Sequence, residues 1–182
     1  MGKILSVKTT RLNAADVALR VANRDSIITF LSIHDIDLLI WIAGDVKRVY
    51  AEADSFVFKK GMEDTAIILL RFDNGTLGCI HVCWAFTGAP YEANTLLEVI
   101  GTEGVLTLDT NDESLKVSSK RNGLRFPMGF SRGVAVRNEQ EYFLNCIRNA
   151  LLSPITPEDG ISALKVALAA RKSCREKKEI NI

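Results

Sequence analysis

Asp73-Asn74-Gly75 separates two β-rich runs, Thr65–Phe72 and Thr76–Trp84. An Asn-Gly step accepts the positive φ angles of a tight turn, and the flanking apolar residues fit a pleated surface, so the segment is predicted to be a hairpin. Asn94–Ile100 and Val105–Leu108 form a second hairpin around Gly101-Thr102-Glu103-Gly104. Ile4–Thr10, Lys47–Phe58 and Leu115–Ser118 complete six or seven strands, most of them joined by connections too short for the crossovers that parallel strands require. The expected architecture is therefore α+β: an open, largely antiparallel six- to seven-stranded sheet with helices on one face. Ile68, Leu70, Ile80 and Val82 predict apolar positions on both faces of the central strands. A second subunit, in a homodimer or larger assembly, is expected to cover the face without helices.

Helical patterns lie outside the β block. A short one is expected around Asp16–Ala22, and a longer one over Ser26–Ala43, closed by Gly44 as its C-terminal cap. Lys120–Arg137, with Gly123, Pro127, Gly129 and Gly133 and little periodicity, is expected to be a long loop. Asn138–Leu152 carries Phe143, Cys146, Ile147 and Ala150 at helical spacing. A last helix opens with Thr156 as N-cap, Pro157 in the first helical position and Glu158 and Asp159 in the first turn. It is expected to bury Ile161, Leu164 and Leu168 and to end near Glu176.

At 182 residues, with 47% hydrophobic and 25% charged residues, the chain is expected to form one domain, residues 1–182, with a core of its own. A formal net charge of +1 makes no electrostatic case for nucleic acid or an anionic membrane. Arg171, Lys172, Arg175, Lys177 and Lys178 sit where they complement a helix dipole. No secretory signal is expected before the first strand, and no apolar run is long enough to span a bilayer as a helix. Cys79, Cys83, Cys146 and Cys174 form no Cys-x-x-Cys pair and are expected to be reduced, buried thiols in a cytoplasmic protein.

Chemistry concentrates in Phe30-Leu31-Ser32-Ile33-His34-Asp35-Ile36-Asp37-Leu38-Leu39-Ile40-Trp41. On a helix, His34 and Asp37 fall on adjacent turns of one face, beside Leu38 and Trp41. A carboxylate three residues from a histidine can fix the imidazole tautomer and support proton transfer, so hydrogen-bond reach between Asp37 and His34 is expected, with a backbone carbonyl as the alternative. The competing reading is a packed histidine enclosed by Phe30, Leu38 and Trp41. Asp35 points about 100° away from His34 and is expected to face solvent.

No Gly-x-Gly-x-x-Gly and no P-loop lysine motif occurs, so no nucleotide site of the glycine-loop type is expected. Cys79, His81 and Cys83 share one face of a strand, but same-face neighbours stand about 6.6 Å apart and no fourth ligand is evident, so no metal is expected.

Five pieces then join in order. His34 through Val46 resembles the segment after the dinucleotide-binding domain of the Gfo/Idh/MocA oxidoreductases, the glucose–fructose oxidoreductase and inositol dehydrogenase family. Gly2–Val7 is similar to that family's first C-domain strand, Glu63–Ala66 with Leu70–Thr76 to its Asp-Asn-Gly hairpin, Glu98–Leu106 to its Ile-Gly-Thr-x-Gly turn, and Thr156–Gly160 to the start of its final helix. The resemblance covers nearly the whole chain. It implies the C-terminal, substrate-binding and oligomerising domain of an enzyme that moves hydride between NAD or NADP and a carbinol carbon of a sugar or polyol.

His34 matches the family's acid/base histidine, and Asp37, Phe30 and Trp41 are the implied substrate contacts. Phe30 stands where the family often has an aspartate, and Ser26-Ile27 replaces a Gly-Gly pair. The Rossmann domain and its catalytic lysine have no counterpart here. The chain is accordingly expected to bind no NAD(P) and to be inactive alone. The alternative is a non-catalytic small-molecule-binding or assembly domain of the same fold.

Overall fold

The computed structural model describes residues 1–21, 25–59, 61–86, 94–111, 114–119, 123–127 and 132–182. Nine strands form one sheet: β1 (Ile4–Ala14), β2 (Val46–Asp54), β3 (Thr65–Phe72), β4 (Leu77–Phe86), β5 (Asn94–Gly101), β6 (Gly104–Asp109), β7 (Ser114–Ser119), β8 (Gly123–Pro127) and β9 (Ile180–Asn181). Their spatial order is β8-β7-β6-β5-β1-β4-β3-β2-β9. Among the described strands only β1 and β4 run parallel, and every other pair is antiparallel. The α+β expectation holds, with two more strands than the sequence predicted. One of them, β8, falls inside the span 120–137 expected to be a loop. It pairs with β7, Leu115 opposite Phe126 and Val117 opposite Leu124, and a helix already begins at Arg132. The parts of that span at 120–122 and 128–131 lie outside the described residues. Glycine and proline content hid a strand that needs only an edge to pair with.

Among the described residues four α-helices accompany the sheet: α1 (Ala15–Val21), α2 (Ile33–Ala43), α3 (Arg132–Arg148) and α4 (Pro157–Glu176), with a π-helical turn at Ile28–Ser32 running into α2. The β3–β4 turn forms where Asn-Gly demands. Gly75, at φ 89°, bonds its N–H to the Phe72 carbonyl at 3.0 Å, and the Asn74 side chain accepts from the Thr76 N–H at 2.9 Å.

Ile68, Leu70, Ile80 and Val82 do not divide between two faces as expected. Ile68 lies opposite Ile80, and the period-2 pleat puts all four on one side, fully buried against the helices with Phe72 and Trp84. The other face presents Ile67, Leu69 and Leu77, each about half exposed.

α4 also turns the other way from expectation. Ala163, Val166, Ala167, Ala170 and Ser173 are buried, whereas Ile161, Leu164 and Leu168 are exposed. Small residues let the α4 backbone approach β2 closely. Ser173 uses that proximity, accepting from the Ala51 N–H at 3.0 Å and donating to the Lys178 carbonyl at 2.6 Å. Thr156 is the N-cap of α4 as predicted, and it forms a capping box with Asp159. Of the four cysteines, all free, only Cys146 is buried, and Cys79, Cys83 and Cys174 are partly exposed. Burial raises the Cys79 thiol and pushes Cys174 up to about 11.

Candidate active site

α2 is held at both ends. Its C-terminus stops at Gly44, which takes φ 91° and bonds its N–H to the Ile40 carbonyl. There the β3–β4 turn reaches over: the Asn74 side chain donates to the Ala43 carbonyl at 2.7 Å, and the Asp73 N–H to the Asp45 carbonyl at 2.9 Å. The Asn-Gly hairpin thus also caps the candidate site helix. At the other end Asp35 is not solvent-facing, as the sequence suggested, but completely buried, with its carboxylate on Arg11 of β1 at 2.6 Å. A partner 24 residues earlier in the chain cannot be read from helical spacing.

His34, Asp37 and Trp41 form one strip along α2, and all three are exposed. They line a cavity of about 730 Å³ whose opposite wall is the approach to and first turns of α4, including Ile155, Asp159 and Ser162. The enclosed alternative for His34 is not what the structure shows, since its ring opens on this cleft. Among the described residues neither the His34 nor the Asp37 side chain makes a hydrogen bond or ion pair, so the expected His34–Asp37 contact is not formed and both polar groups face the cavity.

Trp41 is 84% exposed, an unusual state for an indole in a folded domain. Phe30 lies outside the cavity, and its ring packs on Trp84, centroids 6.0 Å apart. The contribution of α4 was not visible in the sequence. The sequence places Asp159 only in the first turn of a helix, and nothing in the spacing says that this turn faces His34. Hydrogen bonds from the Thr156 N–H and hydroxyl hold the Asp159 carboxyl below its ordinary value, in the anionic form, at the rim of the cleft.

Sequence comparison decides the family. The profile of the GFO/IDH/MocA C-terminal domain matches residues 1–107. The chain belongs to the Gfo/Idh/MocA family. Over 163 residues it is 29% identical to myo-inositol 2-dehydrogenase of Thermotoga maritima, covering 84% of this chain and 48% of that protein. Over 175 residues it is 27% identical to scyllo-inositol 2-dehydrogenase (NAD(+)) of Bacillus subtilis, covering 91% and 50%. The structure of levoglucosan dehydrogenase with NADH and levoglucosan superposes with a TM-score of 0.87 at 18% identity, over 100% of this chain and 59% of that one, which shows a shared fold. The chain spans about half the length of the curated relatives it matches.

For a Gfo/Idh/MocA domain the first question is what could hold a dinucleotide. A pyrophosphate needs backbone N–H groups at a glycine-rich strand-to-helix turn. Among the described residues β1 passes into α1 at Ala14–Ala15, without a glycine. That turn does not fit the cofactor's phosphates. Nor, among the described residues, do histidine, cysteine and carboxylate side chains gather in a metal-sized group; Cys79, His81 and Cys83 stay spread along β4. No described helix is long and apolar enough to cross a membrane.

Proposed function

We propose that this domain is the substrate-side half of an NAD(P)-dependent dehydrogenase acting on a CH–OH group of a sugar or polyol, with His34 as the acid/base residue. The observation that carries the reading is the cleft: an imidazole and a carboxylate, His34 and Asp37, both without protein partners among the described residues, beside an exposed indole. Dehydrogenation of a carbinol releases a proton from oxygen as hydride leaves carbon. His34 takes that proton, Asp37 accepts a hydrogen bond from a neighbouring hydroxyl, and the flat face of Trp41 supports the C–H side of the substrate. The nicotinamide cofactor, held outside this chain, supplies the hydride acceptor. The named relatives act on inositols, which supports a polyol-like substrate.

The uncovered sheet face supports self-association in the same assembly. Ile67, Leu69 and Leu77 offer an apolar centre for a second copy, and a stable interface of ordinary size buries about 800 Å² per partner. Free thiols fit a reducing, cytoplasmic setting.

Phe30 packed on Trp84 favours the second reading, a binding domain without chemistry, because it removes a carboxylate from the helix before His34. Reduction of NAD+ or NADP+ by the complete protein, assayed over inositols, anhydrosugars and pentoses, separates the two. Turnover with any of these supports the dehydrogenase. Tight polyol binding without nicotinamide reduction supports the binding domain.

A further inference from the structure

Arg11 and Asp35 meet through two N–H···O contacts, Nε to Oδ2 at 2.6 Å and a terminal nitrogen to Oδ1 at 3.3 Å. The carboxylate is completely out of water and the arginine side chain only 23% exposed. A buried ion pair is a poor way to gain stability, since an apolar pair of similar volume does as well or better. Its place in the molecule is therefore informative.

Asp35 follows His34 in the first turn of α2, at the junction with the π-helical turn Ile28–Ser32. The helix runs without a break from the π-helical turn into α2, so no side-chain cap marks the junction; the Ser32 hydroxyl bonds back to the Ile28 carbonyl at 2.6 Å. π-Helical turns occur often at functional sites because they alter the rotation of the helix that follows. The change of winding from π to α makes the rotation of α2 at this point depend on what its first turn contacts.

We propose that the Arg11–Asp35 pair is the positioning device for His34: by clamping one side of the first turn of α2 to β1, it sets the rotation that directs the imidazole into the cleft. Asp35 lies about 100° around the helix from His34. With Asp35 held against the sheet, His34 faces the cavity, and a turn of the helix by one residue would carry His34 toward the sheet. A guanidinium fork resists such rotation, whereas a single-point ammonium contact does not. Arg11 and Asp35 are thus positioning residues, acting through His34. The proposal rests on the acid/base assignment above for its catalytic consequence, but not for its geometric one.

The test removes both charges together, because either single truncation would strand a buried ion. The double variant R11M/D35N is compared with the parent by imidazole 15N–1H NMR of the 182-residue chain, in which His81 is the internal control. The expected result is a melting temperature near the parent's, unmoved His81 signals, and His34 signals that shift or broaden. In the complete protein kcat should fall by on the order of tenfold to a hundredfold, with KM little changed. R11K, which keeps the charge and breaks the fork, should move the His34 signals in the same direction by less; if the double variant does not fold, R11K decides by the same signals. His34 signals that stay in place in a folded variant overturn the proposal, whatever the turnover. Moved His34 signals with unchanged kcat would uphold the positioning role and overturn His34 as the acid/base residue.

Discussion

The two faces of the β3–β4 hairpin are built from similar residues and do different work. On one face Ile68, Leu70, Ile80 and Val82 are sealed beneath the helices, with Phe72 and Trp84. On the other, Ile67, Leu69 and Leu77 remain about half exposed. Hydrophobicity alone does not distinguish them. What does is polar anchoring at the covered edge. The Trp84 indole donates to the Glu63 carbonyl at 2.8 Å, and the buried Asp64 carboxylate accepts the N–H groups of Phe56, Val57 and Phe58 through one oxygen. The covered face holds the fold and carries the layer in which His34 sits. The other face leaves Ile67, Leu69 and Leu77 uncovered among the described residues and is the one proposed for assembly.

The contrast is broken most severely on the covered face. Trp84→Ala removes the largest buried side chain and its hydrogen bond, and should cost about 3–5 kcal/mol in denaturant unfolding; a loss under about 1 kcal/mol would mean that the covered face does not anchor the hairpin. Asp64→Ala comes next. It leaves three N–H groups of the segment after β2 without their acceptor, and about 2–3 kcal/mol should be lost, with amide exchange accelerated first at residues 56–58. On the uncovered face Leu69→Asp should change the stability of the isolated subunit by only about 0.5 kcal/mol. It should nonetheless abolish self-association in sedimentation, and an unchanged oligomer would remove that face from the assembly.

The smallest effect lies at the rim of the cleft. The Asp159 carboxyl is held low by Thr156, so its contribution to stability is present above its unfolded value, about 3.9, and is lost as pH falls through the lower folded value. Asp159→Asn, which does not titrate, should give a shallower acid limb in a plot of melting temperature against pH. Identical limbs would mean that the capping box does not depend on the charge.

Local chemistry was legible in the sequence and distant pairing was not. The Asn74-Gly75 turn, the Thr156 N-cap, the Gly44 stop and the His34–Asp37–Trp41 strip each depend on residues within a few positions of one another, and each stands where the sequence placed it. Asp35 was assigned to solvent because its partner, Arg11, lies on a different element. The α4 stripe is inverted because the apolar pattern points to the large side chains as buried, whereas close packing against β2 selects Ala163, Ala167 and Ala170. β8 escaped because an edge strand next to β7 needs neither alternation nor a buried face. The cleft itself was only half visible, since its second wall comes from residues more than a hundred positions after His34.

The central claim is that His34 moves the proton in a carbinol dehydrogenation. It is tested most directly by steady-state nicotinamide reduction with the complete protein and its His34→Ala variant, on the best substrate found, with Leu69→Ala as the control on the opposite face. A general acid/base residue contributes about 10²–10⁴-fold. The account predicts a loss of kcat in that range for His34→Ala, with Leu69→Ala unaffected. Unchanged turnover in a folded His34→Ala protein would contradict it.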